Sequence, residues 1–303
     1  MKKIIGFLFL VLGGVIFSQP VFGQGVSIGI SPVVFELTAN PGDIIENQLK
    51  VSNPSETTIG IRMEVDDITP RGEEGFVTVE AAETETFSLA RWVTTEPSEF
   101  ELEPGEQKFV TFTINVPENA EPGGHYGSVL ARSKSVAGAG VTGAVIAQRV
   151  GSLVLLSVAG DVKEELIIKD FSAPNYSEYG PITFTIRFEN KGTVHVKPRG
   201  FVTITNWLDK KVADVEIPQN NVLPNAVRKI EASWNQKWLW AGKYTATISG
   251  SYGTENNVLT PVVITFWVFP WKASIGILLV LIFFILTRRR WSAAFRILIR
   301  GEK

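Results

Sequence analysis

From Ser27 to Val268 the apolar residues of this 303-residue chain recur mainly with a period of two, in short runs broken by Pro, Gly and Asn, and no long segment carries a helical period. Period two sends alternate side chains to opposite faces of a strand, so each run buries one face only where sheet packs on sheet. The expected class is all-β: two tandem immunoglobulin-like β-sandwich domains, over 24–160 and 161–266. Asn40-Pro41-Gly42, Asn53-Pro54-Ser55, Glu103-Pro104-Gly105 and Pro122-Gly123-Gly124 mark turns, and Phe87 to Val93 reads as one of the strands. The chain has no cysteine, so apolar cores rather than disulfides must hold it.

The two ends differ from this pattern. Met1-Lys2-Lys3 leads into an apolar run and small residues near Gly23, which reads as a secretory signal peptide over 1–23. A second apolar run, 267–287, is followed at once by Arg288, Arg289 and Arg290, and reads as one C-terminal transmembrane helix with a basic cytoplasmic tail over 288–303. Its uncharged part, Ala273 to Leu286, is short: at 1.5 Å per residue it covers about two thirds of a roughly 30 Å hydrocarbon layer. The expected place is the cell membrane, with a single span, an extracellular or periplasmic ectodomain and Arg288, Arg289 and Arg290 as topology determinants.

The whole chain carries 29 basic and 31 acidic residues. Setting aside both ends leaves 20 basic against 30 acidic over 24–271. So acidic a body argues against nucleic acid as a partner. Only two histidines occur, His125 and His195, one in each expected domain, which makes a His-based triad or multi-His metal site hard to build. No G-x-S-x-G, H-E-x-x-H, Walker or dinucleotide pattern appears. No catalytic, cofactor-binding or metal residue is assigned, and the chain reads as a binding protein rather than an enzyme. Asp66-Asp67 with Glu73-Glu74 matches no calcium-loop spacing and reads as a solvated face.

Two local matches suggest internal duplication. Leu49 to Ser55 (LKVSNPS) parallels Ile186 to Gly192 (IRFENKG), each an alternating strand closed by an Asn turn. Gly124-His125-Tyr126 parallels Gly242-Lys243-Tyr244, and a Tyr opening a penultimate strand suits a tyrosine corner. Sandwich topology gathers alternate loops at opposite ends. The Asn53-Pro54-Ser55 turn and the Gly138, Gly140 and Gly143 hairpin are therefore candidate ligand-facing loops at the membrane-distal end. Trp238 and Trp240, in WNQKWLW, would lie at the opposite end with Trp267 and Trp271 as candidate membrane-interface aromatics.

Phe35 to Ser52 and Trp92 to Leu130 resemble the opening strands, Trp strand, Pro-Gly turn, Val-Pro and Gly-rich turn of the WxL-interacting surface proteins of Gram-positive bacteria. The resemblance implies a membrane-anchored cell-surface scaffold, whose first domain engages peptidoglycan and whose second engages another cell-surface protein. The alternative reading is a chaperone-like assembly factor, or a structural subunit of a surface complex, acting through strand-edge pairing. A free edge with alternating apolar residues would favour that alternative; a bulged or charged one would weaken it.

Overall fold

The structure, a computed structural model, describes residues 27–80, 87–134 and 147–300, with side chains as far as 287. The expected signal peptide over 1–23 and the hairpin glycines Gly138, Gly140 and Gly143 lie outside the described residues. The first unit runs through β1 (Gly29–Ser31), β2 (Val34–Ala39), β3 (Ile44–Ser52), β4 (Ile59–Arg71) and β5 (Phe76–Glu80). It continues through β6 (Val93–Glu96), β7 (Glu99–Leu102), β8 (Gln107–Asn115), β9 (Gly123–Ser133) and β10 (Arg149–Val158). One sheet has the order β1-β3-β8-β6 and the other β2-β10-β9-β4-β5, with β7 also on β4.

The second unit holds β11 (Leu166–Ser172), β12 (Tyr176–Ser177), β13 (Ile182–Asn190), β14 (Pro198–Asn206) and β15 (Lys211–Glu216). After these come β16 (Val227–Trp234), β17 (Gly242–Tyr252), β18 (Asn257–Val258), β19 (Val263–Val268) and the helix α1 (Trp271–Arg300). Here β11-β13-β16 faces β12-β19-β17-β14-β15, with β18 on β17. The chain is thus predominantly β, in two sandwiches joined by a short linker.

Both sandwiches begin with the same device. β1 pairs antiparallel with β3, then β2 crosses to the other sheet and pairs parallel with β10. β11 pairs antiparallel with β13, then β12 crosses and pairs parallel with β19. Pro32 and Pro174 stand at the crossings, where a residue without an N–H ends one ladder before the next begins. Inward-facing residues fill each interior: Leu49, Ile61, Phe112 and Leu156 in the first, Phe184, Phe188, Ile204 and Phe266 in the second, all fully buried. Each such side chain gains about 1.5–3 kcal/mol from leaving water.

Two regions differ from the pattern expected of the sequence. Phe87 to Val93 is not one strand: Ala90–Trp92 forms a 3-10 turn, and β6 follows it. Asp67, read as solvated, is buried; its carboxylate accepts from the Ser88 hydroxyl at 2.7 Å and the Leu89 and Ala90 amides at 2.9 Å, and so builds that turn. The apolar run at the C-terminus is likewise divided. Trp267 belongs to β19, opposite Lys243, and the helix starts only at Trp271, after Pro270. Proline supplies no helical N–H and so stands naturally at such a start. Among the described residues no helix is long and apolar enough to cross a membrane. The single span expected over 267–287 is corrected to a strand end, a proline and a helix. Arg288, Arg289 and Arg290 lie in α1, with side chains outside the described residues.

Candidate functional site: the seam between the sandwiches

β9 is buried along almost its whole length, on both faces. One face belongs to the sandwich interior. The other, with Ile68, Tyr126 and Leu155, forms a second apolar cluster that Leu223 of the second sandwich helps to cover. The second unit therefore packs on the outer face of the six-stranded sheet of the first, beside the start of β9.

Polar contacts fix this arrangement. The Gly124 amide donates to the Thr193 carbonyl at 2.8 Å, and the Tyr126 hydroxyl accepts from the His195 amide at 2.8 Å while lying 3.3 Å from His195 Nδ1. The β4–β5 hairpin reaches across as an arm. Its Glu73 carboxylate forms a two-pronged pair with Arg187, its Glu73 carbonyl accepts from the Lys229 amide at 2.7 Å, and Glu74 pairs with Lys229 Nζ at 2.7 Å. On the other side Glu36 of β2 accepts from Lys197 at 2.6 Å and Asn221 at 2.7 Å. The exposed ion pairs contribute little individually; the apolar cluster and the backbone bonds hold the seam, and the charges set its register.

Between arm and β2 lies a cavity of about 310 Å³, lined among others by Val34, Glu36, Phe76, Leu155, Lys197 and Arg228. The Arg228 guanidinium lies against Gly75 and donates to the Asn221 carbonyl at 2.9 Å. Burial holds it below the usual guanidinium range. Two edges of the same sheet border the cavity: β2, whose Val34 is exposed, and β5, whose Phe76 is 69 % exposed. By contrast, the edge strand β15 carries Lys211, Asp214 and Glu216, a charged edge of the kind that discourages strand addition.

The seam carries titratable groups, and the sign of their effect follows from two shifts. Burial pushes His195 below the ordinary 6.5, against the pull of Glu36. Glu36 would be raised by burial, but the hydrogen bonds from Lys197 and Asn221 outweigh this and leave it below the ordinary 4.5. Both groups release protons more readily in the folded state than in the unfolded one. Their contribution is complete above the unfolded values and is lost as pH falls through the folded ones. Amide exchange at the seam is expected to rise in two stages on acidification, beginning below 6.5 with His195 and continuing below 4.5 with Glu36. A His195→Phe variant should lose the first stage alone.

Of the candidate ligand-facing residues, Asn53 points inward. It is 1 % exposed, and its side-chain amide donates to the carbonyls of Thr57, Leu102 and Glu103 at 2.8, 3.0 and 3.1 Å. Pro54 is exposed and Ser55 half-buried, and the Ser55 amide donates to Asn53 Oδ1. The turn closes the end of the sandwich away from the seam but offers no asparagine to a ligand. His125 is also structural. Its ring nitrogens face the Ser88 and Glu121 carbonyls at 3.1 and 2.9 Å, and Trp92 packs on its ring.

The opposite end of the second sandwich is aromatic and exposed. Trp238 and Trp240 are 84 % and 89 % exposed, whereas Trp234, in the same segment, is buried. Trp267 and Trp271 are also exposed. A groove of about 550 Å³ between this loop and the root of α1 is lined by Glu178, Tyr179, Trp238, Pro270 and Lys272 among others. Among the described residues no cluster of His, Cys, Asp and Glu suited to a metal ion occurs.

No family model and no curated protein matches the chain. Several solved structures overlap it. The class 5 fimbriae chaperone CfaA does so at 13 % identity and a TM-score of 0.39, over 79 % of this chain and 99 % of that one. The periplasmic chaperone SfaE overlaps at 11 % identity and 0.36, over 78 % and 98 %. The Salmonella enterica SafA pilin in complex with the SafB chaperone gives 12 % identity and 0.37, over 80 % and 97 %. Overlaps of this quality fix neither a family nor a function.

Proposed function

We propose that this chain is a membrane-anchored binding protein that holds an extended segment of a partner polypeptide in the cavity between its two sandwiches, in the manner of an assembly factor. The observation that carries this reading is the cavity itself: an apolar floor bordered by β2 and β5, the two edge strands of one sheet among the described residues. An extended chain laid along such an edge satisfies its own backbone groups by strand addition, and its side chains find an apolar floor. Of the two partner classes that the resemblance to WxL-interacting proteins implies, a surface protein suits this edge better than wall polymer does. A glycan strand has no extended peptide main chain, with N–H and C=O groups at strand spacing, to add to the sheet. The anchor is α1, whose side chains at Ile275 and from Ile277 to Leu286 are all apolar and all exposed. A helix apolar on every side belongs in a core or in lipid, and no protein core surrounds this one among the described residues.

Photo-crosslinking in the full chain tests the partner site. With benzoylphenylalanine at Phe76, a protein adduct is expected that disappears when Val34→Trp fills the cavity. Phe109 is a matched control, 64 % exposed on β8 in the other sheet. Adducts no more abundant at Phe76 than at Phe109 would sink the reading.

A further inference from the structure

The exposed apolar and aromatic residues around the root of α1 come from three separate stretches of chain that the fold brings to one end. The β14–β15 turn supplies Trp207 and Leu208, 67 % and 52 % exposed. This turn is rigid: Asn206 Oδ1 accepts from the Leu208 and Lys210 amides at 3.0 and 3.1 Å, and Asp209 adopts a φ of 55°. Trp207 lies against Gly242, which pairs with Val268, two residues before Pro270 and the helix. The Trp238–Trp240 loop is held differently. Leu239 packs on the core of the second sandwich, which turns its two tryptophan neighbours outward, and the Trp240 carbonyl accepts from the Tyr244 hydroxyl at 2.9 Å. Trp267 and Phe269 complete the set, 57 % and 46 % exposed.

We infer that this whole end of the second sandwich is a lipid-contacting face, on which the Trp207–Leu208 turn and the Trp238–Trp240 loop enter the headgroup layer beside α1. The inference rests on the proposed anchoring of α1. Indole rings favour that layer because one edge is apolar and the N–H still reaches water. An exposed apolar patch continuous with an apolar helix fits a lipid surface better than bulk water. Charge agrees. Lys210, Lys237 and Lys243 are exposed at this end, and none forms an ion pair among the described residues. The body as a whole is acidic, so this is the end suited to anionic lipid. With α1 as one attachment and the two loops as others, the sandwich would be held at a fixed tilt, and the seam cavity at a fixed height above the lipid.

The absence of cysteine makes the test direct. Single cysteines introduced by L208C, W240C, I277C and V258C replace exposed side chains, so the cores are untouched. Val258 lies at the seam end of the same sandwich, where β18 meets the Ser251–Tyr252 end of β17. Each full-length variant is spin-labelled and reconstituted in vesicles of phosphatidylcholine and phosphatidylglycerol. Collision with oxygen, enriched in lipid, is then compared with collision with a water-soluble nickel chelate. Labels at 208, 240 and 277 are expected to favour oxygen and the label at 258 nickel, a reversal in the sign of the logarithmic ratio. If 277 favours oxygen while 208 and 240 behave like 258, the lipid face is wrong and the anchor stands. If 277 also favours nickel, the anchor itself fails and takes this inference with it.

Discussion

Replacing Asn190 by alanine is expected to destabilise the second sandwich by about 3–5 kcal/mol, a large share of the roughly 5–15 kcal/mol that holds a domain folded. Asn190 is fully buried. Its amide nitrogen donates to the Val194 and Val222 carbonyls, both at 2.8 Å, and its oxygen accepts from the Gly192 amide at 2.8 Å. Alanine leaves the Val194 carbonyl and the Gly192 N–H without partners in a dry site, at about 1–3 kcal/mol each, which water entry relieves only in part; the Val222 carbonyl loses one bond but keeps the Val196 amide at 3.2 Å. Asn190→Asp is the sharper probe. A carboxylate can accept from Gly192 but has nothing to donate to the two carbonyls, so it should be at least as damaging as alanine. Hydrogen exchange on peptides from β13 and β14, compared with those from β3 and β4, would localise the loss to the second unit. A shift of less than about 1 kcal/mol for both variants would contradict this account. Asn53→Ala should do the same to the first sandwich, since Asn53 binds three carbonyls in the equivalent turn.

That equivalence shows what the sequence could carry. The pairing of LKVSNPS with IRFENKG, read from alternation and an Asn, corresponds to two buried asparagines performing the same task at the ends of β3 and β13. Tyr244 also forms the local corner its position suggests, to a carbonyl four residues back. Both features are short-range, and short-range chemistry is written in neighbouring residues. Tyr126 stands in the same sequence setting but binds His195, 69 residues away, because its hydroxyl faces the other sandwich. No local pattern distinguishes the two tyrosines. For the same reason Glu73 and Glu74 read as solvated acids, although Arg187 and Lys229 meet them across the seam. The run from Val263 through Leu286 misled in another way. Apolar strand and apolar helix look alike by hydropathy, and only Pro270 marks the change between them. Trp207 and Leu208 carry no signal in the sequence, because an exposed indole in a turn has meaning only beside the root of α1, which lies more than sixty residues further along.

The second large effect is expected from Gly124→Ala, which should disconnect the two sandwiches while leaving each folded. Tyr126 lies back along β9, so that a Cβ on Gly124 would fall on the tyrosine hydroxyl. Tyr126 is 3 % exposed and cannot swing aside into solvent without abandoning Ile68 and Leu155. The added methyl therefore removes two things together: the bond to the His195 amide and the fit of the ring in the seam. Tyr126→Phe separates them. It keeps the ring but leaves the His195 N–H without its acceptor, a cost of about 1–3 kcal/mol. Spin labels at Phe109 and Val258, both exposed, report the relation of the two units. The parent should give one narrow distance distribution, Tyr126→Phe a modest broadening and Gly124→Ala a broad one, with amide protection inside each sandwich retained. Because Val34 and Phe76 come from the first unit and Lys197 and Arg228 from the second, the cavity exists only while the seam is closed. Gly124→Ala should therefore also abolish the Phe76 photo-adduct. A narrow distribution and an undiminished adduct in that variant would show that the arm at Glu73 and the Glu36 contacts suffice, and that the tyrosine is not what joins the two halves.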